Sequence, residues 1–281
     1  MKENKTKNII TRMIAAAALI VSAVYVVISP NYYSTGLNRD NYREFFIQKA
    51  EPNVGIIKVW HIVKFKPFTG SLGTWLAKRA DEYSGQFINL YFDVVSMTPD
   101  EAENELKRGE SPDIISFARG MVSEELIKCI DGDECSLPYC ASGYLLLYDP
   151  SALTDKTVKE LIEKAGTEQD FKAGKAASCV CDIRAAGDLY RAQLAGKCPY
   201  FEAEPIKNAQ NDLVQYVGLS SAIPEEKLKY AEGFMEFITG DSAQSKLSQI
   251  GLLPISRTAE AEYDIEWLGK LYDSFDPSII Q

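Results

Sequence analysis

One histidine, six cysteines and forty acidic residues are the groups in this 281-residue chain best able to do chemistry. His61 ends an apolar run with no nucleophile or carboxylate at a catalytic spacing, and a lone histidine in that setting packs or hydrogen-bonds rather than transfers protons. The chain has no Gly-x-Ser-x-Gly, His-Glu-x-x-His, Ser-x-x-Lys or Gly-x-x-x-x-Gly-Lys, so acyl transfer, zinc hydrolysis and P-loop chemistry lose their usual signatures. The reading is a protein that is not an enzyme, with an exported hydrolase as a minor rival. Carboxylate pairs such as Glu101/Glu103 belong to solvated faces. Asp131-Gly132-Asp133-Glu134 offers oxygens to calcium but lacks the alternating ligand spacing of a 12-residue EF-hand loop. No metal and no cofactor is expected.

The cysteines lie at 129, 135, 140, 179, 181 and 198. Cys179 and Cys181 are two apart on an extended run, with alpha carbons about 6.5–7 Å from each other, an awkward span for a mutual disulfide. Bridges between Cys129 and Cys135 or between Cys181 and Cys198 remain open, as do buried free thiols acting as small apolar residues. Zinc is disfavoured by the absence of any Cys-x-x-Cys pair. What the chain holds in quantity is 15 tyrosines and 3 tryptophans, flat faces suited to polar rings when joined by a few fixed donors.

The elements that would position such groups follow from periodicity. An apolar run Gly55–Val63, a helix over about Ser71–Tyr83, a strand Ile88–Val95, a helix Thr98–Arg108 and a buried strand Ile114–Phe117 alternate in α/β fashion. Leu72, Trp75, Leu76 and Ala80 share one helix face. Thr98-Pro99-Asp100-Glu101 is a capping box with proline at the first helical position, and Gly109 ends that helix. This succession predicts a parallel sheet with right-handed crossovers. Ligands sit at the carboxyl ends of such strands, so Phe65, Thr69 and Ser71 after the first strand and Phe117 and Arg119 after the third are candidate binding residues. Further on, Leu228, Ala231, Phe234, Met235 and Ile238 repeat at helical spacing. Gly240 can take a left-handed stop, Asp241 with Gln244 forms an Asp-x-x-Gln capping box, Gly251 ends a second helix, and Leu252-Leu253-Pro254 leaves as extended chain.

Residues 231–254, together with Ser-Pro-Asp-Ile-Ile-Ser-Phe at 111–117, Pro-Tyr-Cys-Ala-Ser-Gly-Tyr-Leu-Leu-Leu-Tyr-Asp at 138–149 and Asn-Asp-Leu-Val-Gln-Tyr-Val-Gly-Leu-Ser at 211–220, resemble in content and order the bacterial extracellular solute-binding proteins of ABC importers, maltose-binding-like members with the type II periplasmic-binding fold. The resemblance spans roughly Gly55 to Ile255 and implies an α/β protein of two discontinuous lobes, 54–138 with 211–251 and 139–210 with 252–281. It implies that Tyr139 and Tyr144 flank a crossing between lobes, and that Arg184, Tyr190 and Arg191 face the cleft, with Asp188 beside them and Asp212 and Gln215 opening the return. A small polar solute, a carbohydrate first, and ABC permease subunits would be the partners. The second lobe is short beside relatives, which keeps a non-transport sensor or envelope assembly subunit as the alternative.

Composition agrees. At 46% hydrophobic the chain can form real cores, and 30 basic against 40 acidic residues, net −10, speak against nucleic acid and anionic lipid surfaces as general partners. Residues 1–12 carry Lys2, Lys5, Lys7 and Arg12, and 13–29 are nearly charge-free. That asymmetry keeps the basic tail inside and places the chain beyond residue 29 outside, held by a cell-membrane anchor or, with cleavage at Val21-Ser22-Ala23, exported by a signal peptide. Residues 30–53 read as a spacer.

Overall fold

The structure, a computed structural model, describes residues 48–49, 54–128, 136–154, 157–206 and 212–276. The basic tail, the apolar segment, most of the spacer, the Cys129–Cys135 pair and the Asp131–Glu134 cluster lie outside the described residues. No helix among those described is long and apolar enough to cross a membrane. One small unit contains a two-residue parallel pairing, Gln48–Lys49 (β1) with Phe87–Ile88 (β3).

The larger unit begins with Ile56–Ile62 (β2), Leu72–Ser84 (α1), Tyr91–Met97 (β4), Pro99–Lys107 (α2) and Ile114–Phe117 (β5). Each lies within a few residues of its sequence-predicted place, because each carries its own local signal. Thr98 accepts from the Glu101 amide while the Glu101 carboxylate accepts from the Thr98 amide at 2.7 Å, so the capping box forms. Gly109 follows at φ +85°, a region closed to most side chains. The predicted face of α1 is buried in full: Leu72, Trp75, Leu76 and Ala80.

The chain continues through Leu137–Ala141 (β6), Tyr144–Tyr148 (β7), Val158–Glu163 (α3), Glu168–Lys172 (α4), Ser178–Asp182 (β8), Ile183–Leu194 (α5) and Glu202–Pro205 (β9). Val214–Leu219 (β10), Glu225–Thr239 (α6), Asp241–Gln244 (α7), Leu253–Pro254 (β11) and Glu266–Ser274 (α8) complete it. Two sheets result. Six strands run in the order β11-β6-β10-β5-β2-β4, and three antiparallel strands in the order β8-β7-β9.

In the larger sheet β2, β4 and β5 are parallel, as the alternation of strands and helices requires. β10 is antiparallel to both β5 and β6, and β11 to β6, so the sheet is mixed rather than wholly parallel. Every position of β10 is buried. A strand covered on both faces shows no alternation, and its direction cannot be read from its hydrophobicity. The helix α6 buries Phe234 and Ile238 without exposure, and Phe234 sits 4.7 Å from the Phe92 ring and 5.8 Å from that of Tyr83. Each such side chain contributes about 2 kcal/mol through burial.

Two expected helix signals are used differently. Gly240 is extended, at φ −73° and ψ 151°, and not left-handed, and neither Asp241 nor Gln244 caps α7. Asp241 instead accepts from the hydroxyls of Ser256 and Thr258, at 2.5 and 2.8 Å. Gly251 does take the left-handed conformation, at φ +69°, and β11 leaves extended as expected. Cys140, Cys179, Cys181 and Cys198 are free and buried, so the Cys181–Cys198 bridge does not form. The neighbouring Cys179 thiol, then burial, pushes Cys181 well above the ordinary thiol range.

Candidate functional site

The chain passes between the two sheets at Ser142–Gly143, joining β6 to β7, and the two sides are packed into one apolar core. Ile62, Phe117 and Tyr216 from the larger sheet share it with Leu145, Leu147, Ile183 and Ala186. The loop after β2 reaches across to α5. Asp182 caps α5 by accepting from the Ala185 amide at 2.8 Å, which fixes the helix start and the direction in which Arg184, Gly187, Asp188 and Arg191 project.

The sequence-predicted residues divide at this seam. Arg191 donates through Nη1 to the Phe68 carbonyl at 3.2 Å and through Nη2 to Asp188 at 2.7 Å, and its guanidinium lies 5.1 Å from the Phe68 ring centroid. Arg184 reaches the other Asp188 oxygen at 3.4 Å. The hydrogen bond from Arg191, with Arg184 and Arg191 nearby, holds the Asp188 carboxyl below its ordinary range. Tyr190 meets Trp267 edge to face at 6.4 Å. Thr69 donates its amide to the Ile250 carbonyl at 3.3 Å, leaving its side chain exposed. These four elements, the loop, α5, the turn at Gly251 and α8, are brought together.

The others stand apart. Ser71 accepts from the Thr74 amide at 3.0 Å at the head of α1. Phe65 and Phe117 are core residues. Arg119 is exposed and lies 4.9 Å over the Tyr216 ring. At the crossing, the Tyr144 hydroxyl is 3.4 Å from both Asp212 oxygens, and desolvation followed by that carboxylate raises its pKa. Tyr139 has no exposure: its ring stacks 6.1 Å from Trp75 and its hydroxyl lies 2.8 Å from Ser116 Oγ, so it offers nothing to a solute in this arrangement.

Tyr139 belongs to a buried polar network. His61 Nδ1 is 3.0 Å from Ser116 Oγ, and Gln215 Nε2 donates to Ser116 Oγ at 3.1 Å and to the Ile62 carbonyl at 2.9 Å. A serine beside a histidine is the arrangement of an activated nucleophile. Here Ser116 has no exposure and His61 only 2%, so no substrate carbonyl can reach them and the network ties β2, β5, β6 and β10 together. Burial lowers the His61 pKa from 6.5 to about 4. The unfolded chain therefore takes up a proton between those values that the native protein refuses, and stability falls as pH drops from 6.5 to about 4, by roughly 3 kcal/mol in all. Urea unfolding at pH 7 and pH 4 should show the wild type losing about that much more than His61→Gln; parallel losses in the two proteins would refute it.

Cavities of about 380 and 360 Å³ lie elsewhere. The first is apolar, between α2 and the 121–126 segment, with Trp60, Ile62, Leu106 and Met121 on its walls. The second lies among α5, β9 and α8, and Tyr190 is the only sequence-predicted residue in either. No group of three or more His, Cys, Asp or Glu able to hold a metal occurs among the described residues.

The sequence reading missed Phe68, the residue at the centre of the seam. A signal for it existed in Gly187, since glycine inside a helix costs about 1 kcal/mol relative to alanine and asks for a packing reason. A Cβ at Gly187 would stand 2.5 Å from Phe68 Cδ2.

No family model matches the sequence, and no curated protein does. Solved structures do match by shape. The maltodextrin-binding protein MalE1 from L. casei BL23 aligns at TM-score 0.53 and 11% identity over 78% of this chain and 84% of that one. An extracellular solute-binding protein from Staphylococcus aureus in complex with maltose gives 0.52 and 12%, over 80% and 86%. A Trichodesmium protein in complex with iron and citrate ligands gives 0.51 and 10%, over 80% and 98%. Mixed sheet, antiparallel central strand, passage to a second sheet and return thus add up to a known architecture: the fold of this chain is that of the extracellular solute-binding proteins.

Proposed function

We propose that the chain is an extracytoplasmic solute-binding protein that takes a small polar solute, a carbohydrate first, between two lobes and presents it to an ABC permease. Bounds of 54–138 with 211–251 and 139–210 with 252–281 would cut β6, which lies with β11 in the larger sheet, so the lobes follow the two sheets and the hinge is the passage at Ser142–Gly143 with the chain leaving β11 after Pro254. The observation that carries this reading is the meeting of the strand-end loop 63–71 with α5, where Arg184, Asp188 and Arg191 place charged hydrogen-bonding groups at the seam. Strand-end loops of open α/β sheets are where ligands bind, and closure over a solute touching both sides is a population shift. Maltose in one fold relative and iron with citrate in another support small polar ligands as the class.

The folded region is placed outside the cell membrane, held by residues 13–29 as a single anchor, with a secreted form after cleavage as the alternative. A membrane-fraction assay with N-terminal sequencing separates the two: soluble protein beginning at Val24 would exclude the anchor. Thermal-shift screening of the full chain in mild detergent against maltose, maltotriose, amino acids and ferric citrate tests the function. A true solute at 100 times its dissociation constant adds about 2.7 kcal/mol. A second reading, a non-transport sensor or assembly subunit, is favoured by one observation: the seam is filled by the protein's own apolar side chains. A screen with no shift for any solute class would favour it.

A further inference from the structure

We propose that Phe68 is a latch that holds the two lobes shut and competes with solute for the seam; this rests on the reading above of a two-lobed binding protein. Phe68 extends from the first lobe into a slot made for it. The slot has two glycine walls. A Cβ at Gly187 would lie 2.5 and 2.7 Å from ring carbons Cδ2 and Cε2, and one at Gly251 would lie 2.5 Å from Phe68 Cβ. Trp267 closes a third side, edge to face at 5.8 Å. Arg191, oriented by Asp188, covers the ring and binds the Phe68 carbonyl.

The residue thus collects from the second lobe an aromatic contact, a cation–π contact and a charged hydrogen bond, the three kinds of contact by which a ring-shaped polar solute would be held. Solute and Phe68 cannot use Arg191 and Trp267 together. The apparent dissociation constant is then the intrinsic one divided by the fraction of molecules with Phe68 withdrawn, and when that fraction is a minor state the loss is roughly tenfold or more.

The test uses the full chain in mild detergent and hydrogen exchange read by mass spectrometry. Alanine in place of glycine favours the helix itself, so any loosening by Gly187→Ala comes through Phe68. Gly187→Ala is expected to speed exchange in 65–71 and in the Trp267 region, Phe68→Ala to do the same, and Gly187→Ala to add nothing in the Phe68→Ala background. Unchanged exchange in Gly187→Ala, or an equal effect with and without Phe68, overturns the latch. With maltose as the probe, Phe68→Ala should bind roughly tenfold or more tightly than wild type; equal affinity overturns the competition. If neither protein binds maltose while exchange follows Phe68, the latch stands and the carbohydrate reading fails.

Discussion

Replacing Gln244 by alanine should cost about 4 kcal/mol, the sum expected when several buried polar groups lose their partners at once. Gln244 has no exposure. Its Nε2 donates to the Tyr139 carbonyl and the Ile238 carbonyl, each at 2.7 Å, and its Oε1 accepts from the Ile255 amide at 2.8 Å. One side chain thereby joins β6, the end of α6 and the chain just past β11. Gln244→Ala strands two carbonyls and an amide in a dry interior, and Gln244→Leu, which restores volume, should recover only the part due to the cavity. In thermal unfolding the alanine variant should melt roughly 10 °C or more below wild type. A shift of only 1–2 °C would mean that water reaches the site.

Asp113→Ala is expected to cost about 3 kcal/mol, the low end for breaking a buried charge pair, because Lys227 keeps some exposure when its partner is removed. Asp113 is 5% exposed and accepts from the Lys227 ammonium at 2.8 Å and the Lys58 amide at 2.7 Å. It therefore fastens the start of β5 to β2 and to α6. In Lys227→Met the stranded cation is gone, so Asp113→Ala should cost markedly less in that background. Chemical denaturation of the four proteins reads the coupling directly, and an additive pair would show that Lys227 finds water when its partner is removed.

The contrast between Gln244 and Glu101 shows what could be read in advance. Both sit three residues after a residue of N-capping type, Thr98 and Asp241, and in sequence both look like the far end of a capping box. Glu101 behaves so because its helix end is exposed and a local partner is the best available. Gln244 is turned inward, where its amide meets the carbonyls of Tyr139 and Ile238 and the Ile255 amide. The β2–α1–β4–α2–β5 succession was legible for the reason that served Glu101, every element carrying its own period and cap. The reversed β10 was not, because direction is decided by the strands on either side. At the seam, Arg184, Asp188 and Arg191 were reached only through the resemblance of their segment to a cleft-facing one in the family; their joint ion pairing on α5 is a finding of the structure. Phe68 was not legible, because its place depends on Gly187 and Gly251, residues far off in sequence that matter by lacking a side chain.

The position of β10 also sets an order of assembly. The three-stranded sheet draws on residues 144–205, a continuous stretch, and can pair as soon as that stretch exists. The larger sheet starts earlier along the chain yet cannot finish: β5 and β6 have no shared neighbour until Val214–Leu219 arrives to lie between them. Local pairing is fast and distant pairing slow. In refolding with pulsed exchange, amides of β7–β9 should gain protection before those of β5 and β6. During synthesis the first-made strands then wait with open hydrogen-bonding edges, a hazard for self-association. The strands made first are therefore the last to gain all their neighbours, because the outer edge of β5 stays open until β10 is made.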